Sequence, residues 1–148
     1  MDPKPRVLVA DDDQSIRQLI CTIVQREHFE VDCVANGQEA IEQLQRHVYS
    51  VILLDLMMPV LDGFGVVKYL RDHPPPQKPI VIVITAYADQ RFKDVDAGIV
   101  AGVMRKPFEV PELGNLVRSC VDGFEEATRT INAQRSIAEA RNGERTAN

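Results

Sequence analysis

The chain has few cysteines, no dense run of positive charge and no apolar stretch longer than a β-strand, and each shortage removes a class of function. With a net charge of −5 and no cluster of Lys or Arg, it lacks the electrostatic footprint of direct nucleic-acid binding. No segment approaches the length of a membrane span, which argues against a membrane-embedded protein. The start, Met1-Asp2-Pro3-Lys4-Pro5, places charges and prolines where a secretory signal needs a continuous hydrophobic stretch, so the reading is cytoplasmic. Cys21, Cys33 and Cys120 are odd in number, widely spaced and set among apolar residues. They predict buried structural thiols, not a disulfide framework or a zinc site. His28, His47 and His73 each fall near a predicted helix end with no acidic or histidine partner signalled by a motif, which suits the helix dipole better than catalysis.

What the chain does have is a repeating alternation of two periods. At 148 residues and 45% hydrophobic composition it is long enough for one self-sufficient domain. Strand-like runs are predicted at Arg6 to Ala10, Glu30 to Val34, Ser50 to Asp55, Pro79 to Ile84 and Val100 to Met104. Three of them are apolar at nearly every position, as strands covered on both faces by helices must be, whereas the second is half apolar and suits an edge. Between them the spacing turns helical. Ile16, Leu19, Ile20, Ile23 and Val24 form one stripe, and Asn36-Gly37-Gln38-Glu39 resembles a capping box opening a second helix with Ile41 and Leu44 on its inner face. Asp62-Gly63 opens a third helix with Phe64, Val67 and Leu70, stopped by Pro74-Pro75-Pro76. A short polar fourth is predicted at Asp89 to Ala97. Pro111 opens a fifth with Leu113, Leu116, Val117, Cys120, Val121 and Phe124 on one face. Five such units predict a doubly wound α/β fold around a parallel sheet.

The strand ends carry the chemistry. The first strand closes on Asp11-Asp12-Asp13, the third on Asp55, the fourth leads into Thr85, and the fifth into Lys106-Pro107. Parallel strands would gather these groups at the C-terminal edge of the sheet, where open α/β folds place their ligands. One Asp at one strand end is an ordinary turn residue; agreement among four strand ends is not. Clustered carboxylates repel unless a divalent cation shares the site, and Mg²⁺ suits a set of two carboxylates and a carbonyl. One carboxylate can then act as a nucleophile toward phosphorus, with Lys106 neutralising charge and Thr85 donating a hydrogen bond.

Taken together, these segments resemble the receiver domain of bacterial two-component response regulators over residues 4 to about 122. Val7-Leu8-Val9-Ala10-Asp11-Asp12-Asp13 is similar to that family's first strand and acidic pair, and Leu53 to Pro59 with Asp62-Gly63 to its phosphoacceptor strand and loop. Ile84-Thr85-Ala86 and Lys106-Pro107-Phe108 resemble the other two signatures. The resemblance implies a flavodoxin-like five-stranded parallel sheet of order 2-1-3-4-5. It implies that Asp55 accepts phosphate from a sensor histidine kinase or phosphotransfer protein. Asp11, Asp12, Asp55 and the Met57 carbonyl would hold Mg²⁺, with Asp12 and Met57 in direct contact and Asp11 acting through water. Backbone groups of Leu56, Met57 and Ala86, with Thr85 and Lys106, would grip the phosphoryl group. Asp13 falls just past the acidic pair and is read as a helix cap. Family members carry an aromatic residue three positions before the lysine; here it is Val103, so Thr85, Val103 and Tyr87 are the expected switch positions, with Tyr87 tuning access of water.

The function implied is a phosphorylation-dependent switch read by a downstream protein, not an enzyme. The alternative is an Mg²⁺-dependent phosphotransferase or phosphatase working through an aspartyl phosphate. Such haloacid-dehalogenase-like enzymes need a second Asp two residues past the nucleophile, where this chain has Met57. A flavodoxin-like cofactor binder would need a phosphate loop after the first strand, and Asp11-Asp12-Asp13 would repel it. Residues 1–122 are assigned to the receiver domain and 123–148 to a polar extension, helical or partly disordered. Nothing in the chain reads as an output domain, so it is either a stand-alone receiver or the front of a longer regulator. Glu125 to Asn148 holds four Arg and four Glu but only Ile131 and Ile137 as large aliphatics. A helix to roughly Ala140 with frayed final residues is predicted, with Phe124, Thr128, Ile131 and Ala138 near one stripe that a second copy of the chain would cover. Met57 and Met58 are read as loop packing residues.

Overall fold

A computed structural model of the chain describes residues 4–87 and 95–146. Five strands form one parallel sheet: β1 (Arg6–Ala10), β2 (Glu30–Val34), β3 (Val51–Leu54), β4 (Ile80–Thr85) and β5 (Val100–Arg105), in the order β2-β1-β3-β4-β5. Four helices are described: α1 (Gln14–Arg26), α2 (Gly37–Arg46), α3 (Gly63–Asp72) and α4 (Val110–Thr146). The helix predicted at Asp89 to Ala97 lies mostly outside the described residues. Its remaining stretch and the residues up to β5 are bend and turn.

The period-2 alternation of the strands builds two cores. Leu8, Ala10, Ile52, Leu54, Val81 and Val83 face α2 and α3, meeting Ala40, Val66, Val67 and Leu70. Val7, Val9, Val51, Leu53, Ile82 and Ile84 face α1 and α4, meeting Ile20, Ile23, Val24, Leu113, Val117 and Val121. Each fully buried aliphatic of this kind contributes about 1.5–3 kcal/mol, which is why the central strands tolerate no polar residue until they end. On the inner face of α2, Leu44 packs partly buried against the core as predicted, beside the fully buried Ala40, whereas Ile41 is partly covered and outside that cluster.

The helix starts follow their caps. Asp13 accepts a hydrogen bond from the Ile16 amide at 3.1 Å, Asn36 from Glu39 at 2.9 Å and Asp62 from Gly65 at 3.0 Å. Glu39 returns a hydrogen bond to the chain before α2, accepting from the Ala35 amide at 3.0 Å. His28 follows the C-cap of α1 with φ at 65°, and His47 and His73 cap α2 and α3.

Three expectations are corrected. Cys21 and Cys33 are joined as a disulfide, and Cys120 alone remains a buried thiol. Count and spacing along the chain missed the pairing because α1 folds back over its neighbour β2, bringing the two Cα atoms to 6.7 Å. Met57 is 42% exposed and only Met58 packs inward. Thirdly, α4 passes Gly123 without a break and continues beyond Ala140 to Thr146. One helical Gly costs only about 1 kcal/mol, and the Ala, Arg and Glu that follow favour helix.

The course of α4 separates it from the strand ends. It starts after β5, at the C-terminal edge of the sheet, and runs back so that Gly123 lies beside Ile80 at the start of β4. Its remaining residues project past the N-terminal edge for about 30 Å at 1.5 Å per residue. There Thr128, Ile131, Asn132 and Arg135 face Pro76 and Gln77 across a cavity of about 80 Å³.

Candidate phosphoacceptor site

The site is assembled from the ends of four strands by backbone hydrogen bonds that continue the sheet. The Asp55 amide donates to the Ala10 carbonyl at 2.9 Å, the Asp11 amide to Val34 at 3.1 Å, and the Lys106 amide to Thr85 at 3.1 Å. These bonds set Asp11, Asp55, Thr85 and Lys106 along one edge. A register shift in β5 makes the last possible. Val81 pairs with Val100 but Ile82 with Gly102, so Ala101 is an extra residue, and Thr85 pairs with Arg105 just before the lysine.

Asp11, Asp55 and Thr85 are buried, at 1%, 7% and 0% exposure, whereas Asp12 is exposed. The Lys106 ammonium donates to Asp11 Oδ2 at 2.6 Å and to Asp55 Oδ2 at 3.1 Å. Carboxylate oxygens of Asp11, Asp12 and Asp55 lie within 4.8 Å of one another. Three carboxylates against one ammonium leave the corner short of positive charge, and burial sharpens the deficit. Burial pushes the Asp55 carboxyl above its ordinary pKa; Lys106 pulls it down without cancelling the rise, and Asp11 adds to it. Burial also disfavours the Lys106 cation, yet its hydrogen bond to Asp11 and the charge of Asp55 outweigh that and raise its pKa. Such a set of hard oxygen donors fits a small divalent cation.

The supporting contacts fix the acids in place. Asp11 Oδ1 accepts from the Asp13 amide at 2.9 Å, and the Arg17 guanidinium donates to the Asp11 carbonyl at 2.8 Å. Asp13 thus turns to α1 as its cap and is not among the gathered carboxylates. Asp55 Oδ1 accepts a long hydrogen bond, 3.4 Å, from the Met57 amide. Leu56 is buried, and its carbonyl accepts from Gly63 at 2.9 Å, which closes the loop back onto β3. Thr85 Oγ1 accepts from the Tyr87 amide at 3.2 Å, with Ala86 and Tyr87 exposed beside it. Val103 is not at this edge surface; it packs partly buried against the cluster on the α2 and α3 face. The Lys106–Pro107 peptide is cis.

Sequence reasoning overlooked two features of the loop from Asp55 to α3. A side chain on Gly63 would run into the Asp55 carbonyl oxygen and would stand 2.8 Å from Leu56 Cα. The Asp-Gly pair signals a turn, but not this approach. Val60 holds φ at 69° while the Leu61 amide donates to the Pro59 carbonyl at 2.8 Å, and its side chain is 82% exposed. A β-branched residue in that region costs on the order of 1–3 kcal/mol, which the contacts of the surrounding loop must offset. Nothing in the residue type signals it.

The family model described as response regulator receiver domain matches residues 7–118. The chain is 38% identical over 109 residues to the transcriptional regulatory protein SrrA of Staphylococcus aureus, which covers 72% of this chain and 44% of that protein. It therefore spans about half the length of the curated relatives it matches. Among solved structures it is similar to the receiver domain of Francisella response regulator 1452, with 32% identity and a TM-score of 0.71 over 80% of this chain and 97% of that one. It is also similar to the response regulator TrrA of Thermotoga maritima, solved in complex with Mg(2+)-BeF, with 29% identity and a TM-score of 0.69 over 78% and 98% of the two chains.

Proposed function

We propose that this chain, which belongs to the response regulator receiver domain family, works as a phosphorylation-dependent switch whose phosphoacceptor is Asp55. Receiver domains are signalling domains, and histidine kinases or phosphotransfer proteins are their partners. The observation that carries the reading is the placement of one buried carboxylate, Asp55, 3.1 Å from the Lys106 ammonium and within 4.8 Å of Asp11 and Asp12. A carboxylate oxygen of Asp55 attacks the phosphorus of a phosphohistidine; the P–N bond breaks and its electron pair returns to the imidazole. Lys106 is already beside Asp55 and neutralises charge that arrives on the phosphoryl oxygens. The Thr85 hydroxyl and the amides of Leu56, Met57 and Ala86 hold the group afterwards. Asp11, Asp12, Asp55 and the Met57 carbonyl would hold Mg²⁺. When bound, the ion screens the acids from one another and from the incoming phosphate.

Phosphorylation converts the Lys106 pairing from Asp11 and Asp55 to the phosphoryl group and draws Thr85 toward it, shifting a two-state equilibrium. Val103 lacks the aromatic ring that couples to this movement in the family, and Tyr87, 45% exposed at the mouth of the site, controls access of water instead. Met57 stands where a turnover enzyme needs a second acid, so the chain acts as a switch and not a phosphatase. We place it in the cytoplasm; no helix among the described residues is long and apolar enough to cross a membrane. The output is a protein contact, with no direct nucleic-acid binding by this chain. Residues 1–122 form the receiver unit, and the part of α4 beyond it pairs with a second copy through the stripe that includes Ile131.

Amide exchange with Mg²⁺ and a beryllofluoride phosphate mimic tests the switch. Wild type should gain protection around Thr85 to Tyr87 and Lys106, and Lys106→Ala should keep its fold and lose that response. A variant whose protection matches wild type would remove Lys106 from the mechanism.

A further inference from the structure

The Cys21–Cys33 bridge lies outside the phosphoacceptor site, and the phosphoryl chemistry makes no use of it. It ties the middle of α1 to β2 across a separation of 12 residues. The two sulfurs have unequal surroundings. Cys21 is 9% exposed, on the buried face of α1 with Ile20, Ile23 and Val24. Cys33 is exposed, and it stands on the outermost strand of the sheet, which pairs with β1 alone among the described residues. A small thiol therefore has an open approach to Cys33 and a blocked one to Cys21. The third cysteine, Cys120, is buried on α4, and burial raises its pKa, which makes it a poor nucleophile and an internal control.

We propose that Cys33 is a thiol–disulfide exchange site, and that the bridge is a clasp on α1 which low-molecular-weight thiols of the glutathione class open and close. The inference rests on the cytoplasmic reading above, because in that compartment a disulfide exchanges with the thiol pool and does not persist as a fixed staple. In the exchange, an external thiolate bonds to the Cys33 sulfur. The protein S–S bond breaks, and its electron pair leaves on the Cys21 sulfur, which takes up a proton from water. A second external thiolate then attacks the external sulfur of the mixed disulfide, releasing the oxidised thiol dimer and Cys33 thiolate. The balance is two external thiols oxidised and one protein disulfide reduced to two thiols.

The clasp reaches toward the site through α1 itself. Cys21 lies two turns along the helix whose cap is Asp13 and whose Arg17 holds the Asp11 carbonyl at 2.8 Å. Opening the bridge frees α1 at the open edge of the sheet while its inner stripe stays packed in the core.

The test uses the full chain, oxidised in air, then incubated with reduced glutathione for short times, acid-quenched, alkylated and mapped by peptide mass. The expected product is one glutathione on the Cys33 peptide with Cys21 alkylated and Cys120 unmodified by glutathione. The thermal midpoint of the fully reduced chain should fall by about 5–10 °C below the oxidised one. Cys33→Ser should show neither the adduct nor any thiol dependence of its midpoint. Glutathione on Cys21 in place of Cys33, alkylation of both cysteines before any reductant, or equal midpoints in the two states would each overturn the proposal. None of these readouts involves phosphate, so failure here leaves the phosphoacceptor reading to stand or fall separately.

Discussion

The two edges of the sheet are built from the same five strands and serve opposite ends. At the N-terminal edge the polar groups balance. The Arg6 guanidinium and the Tyr49 hydroxyl both donate to Asp32, at 2.8 and 2.6 Å, and Ser50 links β1 to β4 through its backbone. At the C-terminal edge they do not. Three carboxylates gather around one ammonium, two of the acids are buried, and the Asp55 pKa is driven up. A protein selected for stability alone would have neutralised or removed that corner, since uncompensated buried charge costs several kcal/mol. The imbalance is what the proposed cation and phosphoryl chemistry calls for, while the paired groups at the other edge need no further partner.

The contrast breaks most severely if the loop behind Asp55 is filled. Gly63→Ala would put a methyl against the Asp55 carbonyl and is expected to cost about 3 kcal/mol in denaturant unfolding, with loss of Mg²⁺ binding beside it. A variant with unchanged midpoint and unchanged binding would mean that the loop yields freely.

Within the acidic cluster, neighbours should differ. Asp12→Asn is expected to weaken Mg²⁺ binding by about 10–100-fold, roughly 1.4–2.7 kcal/mol. Asp13→Asn should leave it within a factor of about two, because Asp13 serves as a cap and Asn caps equally well. Titration calorimetry on the two variants ranks them, and equal losses would shift the cluster by one residue.

The smallest expected effect lies at the balanced edge. Tyr49→Phe should cost about 1 kcal/mol of stability at neutral pH and leave Mg²⁺ binding untouched. Burial alone would raise the Asp32 pKa, but the hydrogen bonds from Tyr49 and Arg6 outweigh it and hold it below its ordinary value of 3.8. A lowered folded pKa contributes stability that is fully present above 3.8 and is lost as pH falls through the lowered value. The gap between wild type and Tyr49→Phe should therefore narrow on acidification below that point. A gap that widens in acid would reverse the assigned sign.

Much of this was legible in the residues. Apolar runs of strand length that end on Asp11, Asp55, Thr85 and Lys106 announce strands and an edge, because each is too short for a buried helix and stops on a polar group that the core would not hold. The unreadable parts depend on how elements return to one another. Cys21 and Cys33 meet only because α1 crosses beside β2, Gly63 touches Asp55 only once the loop has closed, and the extra residue Ala101 appears only when β5 is laid against β4. Val60 was invisible for a different reason: a β-branched residue carries no preference for the left-handed region it occupies, so the surrounding loop must impose it. The length of α4 was underestimated because a polar helix with little to bury looks marginal, whereas here it continues a helix already nucleated by Leu113, Val117 and Val121.

The central claim is that Asp55 alone carries the phosphoryl group. Incubating the full chain with Mg²⁺ and acetyl phosphate and measuring its intact mass tests this most directly. Wild type should gain the mass of one phosphate, lost again on brief exposure to base, and Asp55→Asn should gain none. Uptake of the same base-labile phosphate by Asp55→Asn would contradict the account.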